Sequence, residues 1–61
     1  MGLGEAYLAK RDYDKAIAAY SETIKRDPEN PDHYGKRGKA YLAKGDKKRA
    51  NANFAEEKKR R

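Results

Sequence analysis

Cysteine is absent from this chain of 61 residues. That excludes a disulfide framework and a zinc–thiolate site, and leaves the redox compartment open. Tryptophan is absent too, and histidine occurs once, as His33. No Asp, Glu or Cys stands at metal-ligand spacing beside His33, so it reads as a first-turn helix residue without a ligand role. Ser21 and Thr23 have no base near them in a helical stretch, which leaves nucleophilic catalysis without support. The few glycines fall at packing and turn positions and form no phosphate-binding loop. No cofactor and no enzymatic activity are expected. Long apolar runs are missing: nothing approaches the roughly 18 residues of a membrane span. The opening MGLGEAYLAK puts no basic region ahead of an apolar one and is no signal peptide. A soluble, cytoplasmic chain without a membrane partner is the default expectation.

What the chain does have is charge. At 36% apolar and 43% charged residues, it is polar for a globular chain, and its core must be thin. A chain of this length makes one small domain near the limit of what folds alone. The net charge of +6 is unevenly spread: residues 1–30 carry 5 basic and 6 acidic side chains, residues 31–61 carry 11 and 4. Such asymmetry fits an anionic partner. It fits a well-solvated end of a repeat protein better.

The stretch Leu3 to Tyr20 is present twice. At an offset of 34 residues Gly4 falls on Gly38, Tyr7 on Tyr41, Leu8 on Leu42, Asp12 on Asp46, Ala16 on Ala50 and Tyr20 on Phe54; 12 of the 27 pairs are identical. That is far above chance, and a fixed period of this length marks a repeat architecture built from one supersecondary unit.

The first copy reads Leu3-Gly4-x2-Tyr7, then Ala16-x3-Tyr20, then Pro28. The second reads Tyr34-x2-Arg37-Gly38-x2-Tyr41, then Ala50-x3-Phe54. This pattern resembles the tetratricopeptide repeat (TPR), a helix–turn–helix unit. The resemblance implies an all-α fold: two antiparallel hairpins, residues 1–30 and 31–61, stacked as a short right-handed superhelix. Three departures stand out. The first copy lacks its opening residues, Arg11 replaces the usual turn glycine, and Arg37 replaces a leucine.

Local signals agree with four helices. Leu3 to Lys10 forms the first. Asp12 is expected to cap the second with its carboxylate, in which Ala16, Ile17, Tyr20 and Ile24 recur on one face. Asp27-Pro28 ends it. Asn30-Pro31-Asp32 starts the third helix, which runs to Lys44. Gly45 closes it as a left-handed cap, and Asp46 caps the last helix, which runs to the chain end. Gly38 lets the second hairpin close against Ala50. Tyr7, Tyr20, Tyr41 and Phe54 are expected to supply most of the buried area. The fourth helix replaces Tyr13, Ile17, Ala19 and Ile24 of the second by Lys47, Asn51, Asn53 and Lys58. These changes read as the polar outer face of a terminal cap, so that no third repeat follows. The other end starts inside a helix, as a truncated or engineered chain would, and upstream repeats are expected.

Acidic and basic residues recur four apart: Glu22 with Arg26, Asp32 with Lys36, Glu56 with Arg60 and Glu57 with Arg61. Each pair is worth only about 0.2–0.5 kcal/mol. The cations of Lys58 to Arg61 complement a helix C-terminus. With Lys47, Lys48 and Arg49 they also make a nucleic-acid patch conceivable, but no aromatic is interleaved to stack bases. Nucleic acid or an anionic surface is therefore the weakest of three readings.

The resemblance implies a function through the inner surface, where the first helix of each repeat lines a groove for a peptide. Glu5, Leu8 and Ala9 lie there from the first copy, and Asp32, Gly35, Lys36, Lys39, Leu42 and Ala43 from the second. The lysine–asparagine clamp with which some relatives hold a C-terminal carboxylate is missing. Its asparagine positions are Glu5 and Lys36, and two lysine positions are Asp32 and Met1. The first reading is thus a protein-interaction module whose peptide carries acidic residues opposite Lys36 and Lys39. The second is a repeat fragment or engineered chain that self-associates and has no partner of its own.

Self-association has two routes. An apolar edge around Leu3 and Tyr7 offers edge-to-edge packing. Alternatively the first helix continues through Arg11, since holding Arg11 in the left-handed region costs roughly 1–2 kcal/mol; the hairpin would then be completed by a second molecule in a swapped homodimer. A homo-oligomer is expected, with an ordinary hairpin favoured over the swapped one.

Overall fold

Four helices account for nearly all of the backbone in the computed structural model, which describes residues 2–61. They are α1 (Leu3–Ala9), α2 (Tyr13–Arg26), α3 (Pro31–Lys44) and α4 (Lys47–Arg60), and no strand occurs among the described residues. α1 packs on α2, α2 on α3 and α3 on α4. The short connections make these neighbours antiparallel, so the chain is two hairpins stacked through α2 and α3.

The helix boundaries follow from local chemistry. Asn30 Oδ1 accepts from the Asp32 N–H at 3.0 Å, with Pro31 in the first position. Asp46 Oδ1 accepts from the Arg49 N–H at 3.1 Å and starts α4. The same Asp46 carboxylate takes a side-chain hydrogen bond from Arg49 at 2.8 Å, and that bond above all holds its pKa below the ordinary aspartate range. At the corresponding place in the first repeat the expected cap is not made. Asp12 begins α2 without a side-chain capping bond; its carboxylate lies 3.7 Å from Lys15 Nζ instead.

Both hairpin turns have one geometry. Arg11 N–H bonds Leu8 O at 2.9 Å and Asp12 N–H bonds Tyr7 O at 2.9 Å; 34 residues on, Gly45 N–H bonds Leu42 O at 3.0 Å and Asp46 N–H bonds Tyr41 O at 2.9 Å. This is the Schellman closure of a helix, which places one residue in the left-handed region. Gly45 takes it at φ 100° and Arg11 at φ 61°. The first hairpin therefore closes within one chain, and the fused helix that a swapped dimer requires is not formed.

The core centres on Ala16, Tyr20 and Ala40, with Tyr7, Leu8 and Ile17 packed half-buried around them. Ile24, Tyr34 and Ala50 complete the buried apolar set. Of the four aromatics expected to dominate, only Tyr20 is buried; Tyr7, Tyr41 and Phe54 stay half-buried, and Tyr34 takes the inner place instead. Gly4 and Gly38 let the two helices of each hairpin approach: a Cβ at Gly4 would lie 2.6 Å from the Tyr20 ring, and one at Gly38 2.7 Å from the Phe54 ring.

A polar junction holds the two hairpins to each other. Arg37 Nε donates to Asn53 Oδ1 at 2.6 Å and its Nη1 donates to Ser21 Oγ at 3.1 Å, so one guanidinium on α3 ties α2 to α4. Asn53 in turn donates to the Arg49 carbonyl at 2.7 Å and is only 6% exposed. This corrects the reading of Asn53 as part of a polar outer face: it is a satisfied interior amide.

Candidate functional site

The residues expected to line a groove lie on α1 and α3. Glu5, Leu8 and Ala9 are spaced three and four apart on α1, and Lys36, Lys39, Leu42 and Ala43 continue that spacing on α3, so each set shares a face. The two faces meet at an ion pair. Lys36 Nζ lies 3.5 Å from Glu5 Oε1, both side chains about half-exposed, and the same Glu5 oxygen accepts from the Gly2 N–H at 3.3 Å. Behind this pair the Tyr20 hydroxyl has its pKa pushed up, first by burial and then by the negative charge of Glu5.

The other expected lining residues divide. Ala9, Lys39, Leu42 and Ala43 are exposed, and Leu42 keeps 47% of its surface open, second to Leu3 among the large apolar side chains described. Lys39 makes no ion pair among the described residues. Leu8 faces inward in part, against the Ala16–Tyr20–Ala40 cluster. Asp32 is exposed, 3.9 Å from Nη2 of Arg61, just past α4, rather than bonded to Lys36. Gly35 is buried with the Glu57 carboxylate of α4 against it, so it serves the α3–α4 contact and lines no open surface. Met1 lies outside the described residues.

Of the four pairs expected along helices, Glu56–Arg60 at 2.6 Å and Glu57–Arg61 at 2.9 Å form. Glu22–Arg26 and Asp32–Lys36 do not; the partners of Lys36 and Asp32 come from other helices. Sequence spacing along one helix carries no information about a neighbour on the next. His33, in the first turn of α3, bonds through Nε2 to Asp27 Oδ2 at 3.3 Å, tying the two ends of the α2–α3 loop.

The basic helix α4 spends its arginines on the fold. Arg60 donates to the Pro28 carbonyl at 3.1 Å and to Glu56, and its guanidinium sits 4.6 Å from the centroid of the Tyr34 ring. Arg49 is held by Asp46 and Arg61 by Glu57. Lys47, Lys48, Lys58 and Lys59 remain as exposed cations without an ion pair among the described residues.

Paired hairpins with a glycine–aromatic contact repeated 34 residues apart agree with a comparison of known families: the model for the tetratricopeptide repeat matches residues 1–59. The chain belongs to the tetratricopeptide repeat family. No curated protein and no solved structure matched it. TPR units are in general protein–protein interaction modules, and Lys39, Leu42 and Ala43 of this TPR pair are exposed on α3. No helix among the described residues is long and apolar enough to cross a membrane.

Proposed function

We propose that this TPR pair docks a peptide segment on the inner face formed by Leu8 and Ala9 of α1 and Lys36, Lys39, Leu42 and Ala43 of α3. The observation that carries the reading is Leu42, a large apolar side chain left 47% exposed on the same face as an unpaired Lys39. A peptide laid there covers the leucine and meets a free cation. Acidic residues on the peptide complement Lys39 first. Lys36 joins by exchanging its exposed partner Glu5, and such surface pairs are worth no more than about 1 kcal/mol. Glu5 and Asp32 flank the groove and select against acidic residues at their own positions. Selection from a random peptide display library tests this: enriched peptides carry Asp or Glu beside an apolar residue, and replacing Lys36 and Lys39 by Glu weakens them while circular dichroism stays helical. Unchanged affinity in that variant sinks the groove assignment.

Self-association is a second reading, favoured by Leu3, which is 64% exposed beside a shallow hollow that includes Tyr7, Ala18 and Ala19. Edge-to-edge packing would cover it. Sedimentation across concentration decides: a monomer at high concentration ends the idea.

A further inference from the structure

The two hairpin turns make one edge of the molecule. α1 and α3 run in the same direction, and Lys44 Nζ at the end of α3 lies 2.6 Å from Asp14 Oδ1 in the first turn of α2. The turns at residues 10–12 and 44–46 therefore stand at the same end of the stack, side by side. We propose that this edge binds the phosphate backbone of a nucleic-acid duplex, without sequence preference.

The charges on the edge are sorted. Its carboxylates are all engaged: Asp12 with Lys15 at 3.7 Å, Asp14 with Lys44 at 2.6 Å and Asp46 with Arg49 at 2.8 Å. Lys10 and Arg11 on the first turn, and Lys47 and Lys48 at the start of α4, are exposed and make no ion pair among the described residues. Glu22 and Glu29, which make none either, lie in the later part of α2 and in the α2–α3 loop, toward the opposite end. An anion approaching the turn edge meets four free cations and no free carboxylate.

Arg11 is an independent observation. Gly45 takes the left-handed position of its turn at φ 100°, and Arg11 takes the same position at φ 61°. That conformation disfavours a residue with a Cβ. No ion pair or side-chain hydrogen bond of Arg11 among the described residues offsets the strain. Backbone strain of this kind collects at functional sites; here it keeps an exposed guanidinium, whose planar fork suits phosphate, where the second turn has a glycine.

The same segments define the partner. A duplex carries one negative charge per roughly 1.7 Å of its axis, dense enough to meet cations on both turns at once. Single strands are held largely by stacking on aromatic rings, and the one aromatic in residues 10–15 and 44–49, Tyr13, is half-buried. The lack of a stacking platform thus counts against a single strand and does not bear on a duplex. A bilayer is held by cations together with apolar insertion, and these segments contain no aliphatic side chain. Lys36 and Lys39 lie outside the edge, so the inner face stands or falls separately.

The probe is a short fluorescein-labelled DNA duplex, titrated with the full chain by anisotropy over a range of salt. Each phosphate contact contributes about −0.9 to the slope of log affinity against log salt, so four contacts weaken binding about 150-fold between 50 and 200 mM. Arg11→Gly keeps the turn, so a loss of binding in it is not a loss of fold; its affinity should fall only about 40-fold over the same range. Replacing Lys47 and Lys48 by Gln should flatten the slope further, and replacing Lys58 and Lys59 at the far end of α4 should leave it unchanged. A chain that does not bind the duplex, a slope that Arg11→Gly does not change, or one set instead by Lys58 and Lys59 overturns the proposal. So does capture by phosphatidylserine vesicles without duplex binding.

Discussion

Half-buried Arg37 and buried Asn53 form a polar pair where the first repeat has Leu3 and Ala19. The 2.6 Å bond between Nε and Oδ1 makes two departures from the repeat pattern one event: a leucine and an alanine exchanged together for an arginine and an asparagine. Removing one partner leaves a buried amide oxygen unsatisfied, which costs about 1–3 kcal/mol. Arg37→Leu should therefore lower stability by that amount, and adding Asn53→Ala should recover most of it. Urea unfolding of the two single variants and the double variant gives the coupling directly; additive losses would show that the pair is not a unit.

Arg11 holds φ 61°, a conformation that disfavours any residue with a Cβ. Arg11→Gly should raise stability by about 0.5–1 kcal/mol, the relief of strain being partly offset by the greater freedom of glycine in the unfolded chain. The oligomeric state should stay as it is, because the hairpin already closes within one chain. A fall in stability in thermal unfolding would mean that the Arg11 side chain contributes more than its backbone costs.

Gly4 and Gly38 sit inside helices, where alanine is ordinarily better by roughly 1 kcal/mol. Here the order should reverse. A Cβ at Gly38 would meet both the Phe54 ring at 2.7 Å and the Ala50 carbonyl at 3.2 Å, and backbone cannot rotate aside. Gly38→Ala should cost about 1–3 kcal/mol, the range for overpacking, and Gly4→Ala less, since only the Tyr20 ring has to move. Midpoints of thermal melts rank the two.

Much of this was legible in the sequence, and what was not has a common cause. Helix ends at Asn30, Gly45 and Asp46 depend on the nearest few residues, so their spacing was enough. The close approach of Gly38 to Ala50 could be read because a glycine inside a helix, opposite a small residue, points to one. Asn53 and the Lys36–Glu5 pair could not, because each rests on which residue of another helix stands opposite. A signal for Asn53 did exist: its change from Ala19 coincides with the change from Leu3 to Arg37, and paired departures between repeats mark contacts. Tyr34 was recognised as a pattern residue but not as core, since burial there needs Arg60 to fold back over the ring. Ala9, Lys39, Leu42 and Ala43, named as groove residues from the family resemblance, are exposed. The burial of Gly35 could not be read from that resemblance.

Acid should loosen the start of α4 at its Asp46 cap. Asp46 has its pKa held down by the Arg49 hydrogen bonds, so the folded state binds its proton less readily than the unfolded state does. The stabilisation is complete above the ordinary aspartate value of about 3.9 and is lost as pH falls below it toward the depressed folded value. Asp46→Asn keeps a capping side chain but removes this charge. Helicity of the variant between pH 5 and 2 should be flatter than that of the parent; identical acid profiles would assign the transition to other carboxylates.

The inner face is tested most directly by amide chemical-shift mapping with an acidic peptide selected on the intact chain. The account predicts shifts at Leu8, Ala9, Lys36, Lys39, Leu42 and Ala43, all on α1 and α3. Shifts confined to Lys47, Lys48, Lys58 and Lys59 of α4, with the inner face unmoved, would contradict it.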